Sequence, residues 1–167
     1  RPVPRPAYIV GKLAGIVLAA SLIFASMTAV LVAALVLGDR TPGPAVFAAV
    51  YLSLLETTVV ASIVVFFSTF TTPMLASFFT LCVFVAGSLS GDLRVFAERF
   101  GGAGTRIASN AFYYLLPNLK VFNLRHAAVH DLAFSAGDVA LATGYAAVYV
   151  AVVVYFACLV FRRREFA

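Results

Sequence analysis

Residues 13–37 read LAGIVLAASLIFASMTAVLVAALVL, a run of 25 residues without one charged side chain. A helix that crosses the hydrocarbon of a bilayer takes about 20 predominantly apolar residues. The run is long enough to span with some tilt. Residues 139–161 form a second charge-free run of the same kind. Across the whole chain 63% of residues are hydrophobic and only 11% are charged, with a mean hydropathy of +1.03. That balance excludes an ordinary soluble domain. The expected fold class is all-α: a polytopic transmembrane helical bundle of four spanning helices plus short interfacial extracytoplasmic helices.

On the upstream side, residues 1–12 form a basic segment, Arg1-Pro-Val-Pro-Arg-Pro-Ala-Tyr-Ile-Val-Gly-Lys12. Its three prolines cannot continue a helix and bias the residues before them toward extended geometry. After Pro6 nothing breaks a helix. The segment reads as a stiff cationic elbow against the membrane face, leading into the span at 13–37. Gly11, Gly15 and Ala19 repeat at four-residue spacing, a stripe that lets another helix approach closely.

Downstream, Gly38-Asp-Arg-Thr-Pro-Gly-Pro44 is dense in helix breakers and connects antiparallel neighbours. A second span follows at 45–67. In Ser68-Thr-Phe-Thr-Thr-Pro73, Thr72 is placed to cap a new helix with Pro73 in its first turn. The third span covers 73–91 and the fourth 139–161. Between them, residues 92–138 form the only polar segment of any length. Leu93, Val95, Phe96 and Phe100, then Ile107, Ala111, Phe112, Leu115 and Leu116, recur at near-helical spacing. We expect two short amphipathic helices at the interface, separated by Gly101-Gly-Ala-Gly104, the second stopped by Pro117, and a further one near 124–134.

Glu56 is the anomaly of the second span. At 1.5 Å per residue it lies roughly 17 Å from the start of that helix, near the bilayer midplane. A charge there costs about 2.5–3.5 kcal/mol on insertion scales, so it faces protein or water rather than lipid. One reading is a substrate-path or gating carboxylate. The other is a hydrogen-bonded carboxyl at a helix interface, capped by Ser53, Thr57 or Thr58.

Other chemistry is sparse. His126 and His130 are four apart, with Asp131 beside them, so on a helix both imidazoles project from one face. Such a pair can ligate a metal, but two ligands do not make a site. Cys82 and Cys158 lie at different depths and are not expected to pair. Gly87-Ser-Leu-Ser-Gly91 has Leu89 where a serine-hydrolase elbow requires serine. Val10-Gly11-Lys12-Leu13 lacks the upstream glycine and the following Ser or Thr of a phosphate-binding loop. The net charge of +5 sits at membrane flanks and carries no nucleic-acid signal. The chain reads as no enzyme, with no cofactor of its own. Arg1, Arg5 and Lys12 beside the first span, with Arg162, Arg163 and Arg164 closing the last at 162–167, put both chain ends in the cytoplasm.

Four stretches in order resemble the ABC-2-type transporter permeases, in particular the multi-copper-enzyme-maturation permease branch. They are Arg1-Pro-Val-Pro-Arg5 with Tyr8 and Gly11-Lys12, then Leu55-Glu-Thr57, then Phe67-Ser-Thr-Phe-Thr-Thr-Pro73, then Leu116-Pro-Asn-Leu-Lys-Val-Phe-Asn-Leu-Arg125. The resemblance implies a permease subunit in the inner membrane of a prokaryote. It implies pairing with a second permease subunit and with cytoplasmic ATP-binding subunits that hydrolyse the ATP. Arg1, Arg5, Tyr8 and Lys12 then match the coupling region that touches the ATPase, and 92–138 the extracytoplasmic gate region. Such permeases have six spans, so the resemblance also implies that the first two lie upstream of Arg1. A non-transporting membrane scaffold or assembly factor is the alternative.

Overall fold

A computed structural model describes residues 5–39, 41–100, 119–122 and 136–163. Among these residues every regular element is helical and none is a strand. Helix α1 covers Arg5–Leu37, α2 Pro44–Ser68, α3 Pro73–Phe100 and α4 Ala136–Arg163, and a single 3₁₀ turn covers Leu119–Phe122. In hydrocarbon a backbone must satisfy its own hydrogen bonds, and long apolar runs without proline do so as helices.

Three helical stretches are long and apolar enough to cross a membrane: Ala7–Leu37, Pro44–Ser68 and Gly137–Phe161. This is the composition of a multi-pass membrane protein. The apolar part of the remaining helix, Pro73–Leu89, is shorter. At about 1.5 Å per residue it covers roughly 26 Å, just under the hydrocarbon thickness of about 30 Å.

Two boundaries differ from the sequence expectation. Helix α1 begins at Arg5, so the second half of the basic segment is already helical. Pro6 sits in the first turn, where its missing N–H costs nothing. Helix α3 runs on through Gly91 to Phe100 instead of ending at 91. A mid-helix glycine costs only about 1 kcal/mol, too little to stop a helix that no proline interrupts. The rest of the expected interfacial segment lies outside the described residues, apart from the turn Leu119–Phe122 and residues 136–138, which already belong to α4.

The turns are built as their residues dictate. Leu37 ends α1, the Gly38 N–H reaches the Ala34 and Leu35 carbonyls at 3.1 Å, and Asp39 takes a left-handed φ of 54°. Asp tolerates that region because its short side chain can bond locally. Pro44 opens α2 behind Gly43. The Thr72 carbonyl accepts the Ala76 N–H at 2.9 Å, the first bond of the turn that Pro73 begins.

Helix α2 is the hub, packing on α1, α3, α4 and the 3₁₀ turn. One cluster joins Leu52, Val59 and Ile63 of α2 to Ala142 and Ala146 of α4, and Leu119 and Phe122 complete it. A second joins Ile9 and Leu13 of α1 to Ala61 and Val65 of α2 and Ala157 of α4. Alanines at 61 and 157 let the three backbones come close. Only the first turns of α1 are held this way. Beyond them Leu22, Met27, Val30 and Leu37 are exposed.

Candidate functional site

The start of α1, the end of α2 and the end of α4 meet at one end of the bundle. The Lys12 ammonium donates to the Ser68 hydroxyl at 3.1 Å. That hydroxyl in turn donates to the Val65 carbonyl at 2.8 Å. The Tyr8 ring stacks on Phe161 at 6.4 Å and 21°. Beneath them Ile9 is buried and Tyr8 and Lys12 stay exposed. Helical spacing explains the split: Tyr8 and Lys12 are four apart and share a face, and Ile9 and Leu13 share the next one inward. Two of the four expected coupling residues are therefore together on one exposed edge. Arg5 opens the same helix, and Arg1 lies outside the described residues. A phenol, an ammonium and a hydroxyl on a helix end make a surface suited to a polar or acidic protein partner.

Glu56 sits at the middle of α2, twelve residues from either end of Pro44–Ser68. It is half-buried and lines a cavity of about 230 Å³ with Ser53, Thr57, Val60, Phe24 of α1 and Phe84 of α3. Thr57 Oγ1 donates to the Ser53 carbonyl and Thr58 Oγ1 to the Leu54 carbonyl, each at 2.8 Å. Back-bonding to the i−4 carbonyl is how a threonine hydroxyl satisfies itself inside an apolar helix. Ser53, Glu56, Thr57 and Val60 follow i, i+3, i+4, i+7 spacing, which puts all four on one face.

A larger apolar crevice of about 460 Å³ lies across α2, α3 and α4, lined by Ile63, Phe66, Phe67, Val83, Tyr149, Val153 and Phe156. At the end opposite Lys12, Phe122 is buried beside Tyr145, with ring centroids 6.0 Å apart. Tyr145 in turn stands 6.1 Å from Tyr149, and Tyr51 Oη and Thr143 Oγ1 meet at 3.2 Å. Tyr145 and Tyr149 of α4 thus pack against the cluster that joins α2, α4 and the 3₁₀ turn, as their shared face suggests.

His126 and His130 lie outside the described residues. Among those described, no three His, Cys, Asp or Glu side chains gather as metal ligands. Cys82 and Cys158 are free thiols. Gly11 and Gly15 have nothing within 4 Å of an added Cβ, so no helix among the described residues uses that stripe.

Sequence reasoning missed Ser68 and Phe161 as the partners of Lys12 and Tyr8. It also missed Phe24 and Phe84 as walls around Glu56, since nothing local marks contacts between distant helices. It missed the anchoring of the polar stretch by Leu119 and Phe122, whose i, i+3 apolar spacing was the available signal. No family model, no curated protein and no solved structure matches the chain.

Proposed function

We propose that the chain is a permease subunit of an ATP-binding-cassette transporter, embedded in the cytoplasmic membrane of a prokaryote with both ends cytoplasmic. It moves its substrate with ATP hydrolysed by separate cytoplasmic subunits, and it works beside a second permease subunit. What supports the reading is the bundle end where Tyr8 and Lys12 are exposed yet tied to Phe161 and Ser68. A push on α1 there is delivered at once to α2 and α4, through the buried Ile9, Leu13, Val65 and Ala157. In this reading α3 is the third of four spans, its 28 residues making about 42 Å of helix. Helix α1, at 33 residues and about 50 Å, outruns the hydrocarbon, so its first turns stand in the aqueous layer as a stem. Arg1, Arg5, Tyr8 and Lys12 are the partner-contacting residues, and Glu56 borders the substrate path.

The scaffold reading draws on the open Gly11 and Gly15 stripe, which suits close approach of a helix from another protein. Two measurements decide. Replacing Arg1 and Arg5 with Glu, or Lys12 with Glu, abolishes co-purification with an ATP-binding subunit while membrane insertion persists; retained co-purification refutes the coupling assignment. In reconstituted vesicles the complex hydrolyses ATP faster when its substrate is added, whereas a scaffold leaves the rate flat.

A further inference from the structure

We infer that the bundle end where α1 begins and α4 finishes is a docking surface for the phosphate head groups of anionic phospholipids. Four basic residues converge there. Arg5 opens α1 and Lys12 follows about two turns later, while Arg162 and Arg163 close α4. These ends are far apart in the chain and are brought together by contacts. The Tyr8 ring stacks on Phe161, the residue before Arg162, and Ile9 and Leu13 are buried with Ala157. Orientation across a membrane asks only that cations flank the spans. It does not ask that two basic ends meet.

Charge decides what this surface takes. Of the acidic residues described, Glu56 stands at the middle of α2. Asp39, Asp92, Glu98 and Asp138 lie toward the opposite end, among Arg94, Arg99 and Lys120. The end with Lys12 thus holds four described cations and no described acid; Glu165, beyond Arg164 in sequence, lies outside the described residues. The N-termini of α1 and α3 and the C-termini of α2 and α4 share this end, so the helix dipoles largely cancel and the side chains set the field. Lys12 gives one N–H to Ser68. That hydroxyl is neutral, so the charge and two further donors of the ammonium stay available. The level is that of lipid head groups: Lys12 and Arg162 border the charge-free runs 13–37 and 139–161, and Ser68 ends the apolar α2. A group of about four to eight Lys and Arg at such a border is the pattern that holds anionic lipids. The exposed Tyr8 ring beside Phe161 favours this occupant over a dissolved anion, because amphipathic rings are at home where head groups give way to chains.

The inference does not rest on the transport reading, and its test contains no ATP-binding subunit, so the two fail separately. The delipidated chain in dodecyl maltoside, an uncharged detergent, is mixed with phosphatidylglycerol or with phosphatidylcholine of the same acyl chains. Bound lipid is counted by native mass spectrometry. Phosphatidylglycerol is expected to be retained severalfold more strongly. Each cation removed, in Lys12→Gln, Arg162→Gln or Arg163→Gln, weakens its binding about fivefold, and the triple variant retains the two lipids alike. Arg94→Gln with Arg99→Gln, toward the opposite end, leaves the preference intact. Inorganic phosphate, compared with chloride at equal ionic strength, does not displace the lipid. The inference is overturned if the unchanged chain holds both lipids equally, or if the triple variant keeps the preference. Loss of the preference in the Arg94 and Arg99 variant, or displacement by inorganic phosphate, overturns it too. Should the triple variant fail to elute as a monodisperse species, the three single variants decide by the same measure.

Discussion

The Lys12 ammonium and the Ser68 hydroxyl meet on an exposed edge, where such a contact contributes about 1 kcal/mol or less. Lys12→Ala is therefore expected to shift stability by no more than about 1 kcal/mol in a denaturant titration in micelles. Under the proposed function, Lys12→Glu is expected to remove binding of the ATP-binding subunit with the same small effect on stability. The two variants separate the residue's contribution to the fold from the contact that the proposal assigns to it. The bond between Tyr51 and Thr143 is of similar size. Tyr51→Phe is expected to cost about 0.6 kcal/mol, the mean for a polar contact between membrane helices. The oddness of Glu56 was plain from sequence, because a lone carboxylate in an apolar run is conspicuous. The rings of Phe24 and Phe84 beside it were not, since phenylalanine is common throughout the chain and periodicity says nothing about which distant helix a ring will meet.

At the scale of the element, α1, α2 and α4 follow directly from long apolar runs, charge-free in α1 and α4 and interrupted in α2 by Glu56 alone. Run length is a local property, and in hydrocarbon the backbone has no other way to satisfy itself. The end of α3 was not legible, because Gly91 is a mild helix breaker and its effect depends on what the next turns gain. The close approach of α1 to α2 and α4 rests on small side chains. Ala157 is fully buried against that approach, and Ala157→Leu is expected to destabilise the bundle by about 1–3 kcal/mol through overpacking. A reduced midpoint in the same titration checks it. At the α1–α2 turn, Asp39 holds a left-handed conformation. Asp39→Val is expected to cost about 1–2 kcal/mol, the penalty of that region for a side chain with a branched Cβ, and Asp39→Gly is not.

At the scale of the whole molecule, α2 joins two clusters, one through Leu52, Val59 and Ile63 and the other through Ala61 and Val65. The end carrying Leu119 and Phe122 is closed by a turn that returns from the polar stretch. The other end gathers both terminal helices around the α2–α3 turn. Because α2 is long and apolar enough to cross a membrane, Thr41→Cys and Thr71→Cys are expected to become accessible from opposite faces. A membrane-impermeant maleimide applied to sealed vesicles of known orientation is expected to label one and spare the other. Labelling of both from one face would mean that α2 does not cross.

The sequence by itself determined that the chain is helical, where its long apolar runs start and stop, and that a carboxylate lies deep inside one of them. Each of these depends on the free energy of transferring a local stretch between water and hydrocarbon, which is a sum over neighbours in the chain. Only the tertiary structure decided that Lys12 reaches Ser68, that Tyr8 stacks on Phe161, that Phe122 fills the far cluster, and that Glu56 faces a cavity walled by two other helices. Those choices arise from side-chain shape between helices equally content in lipid, where apolar character no longer distinguishes one face from another.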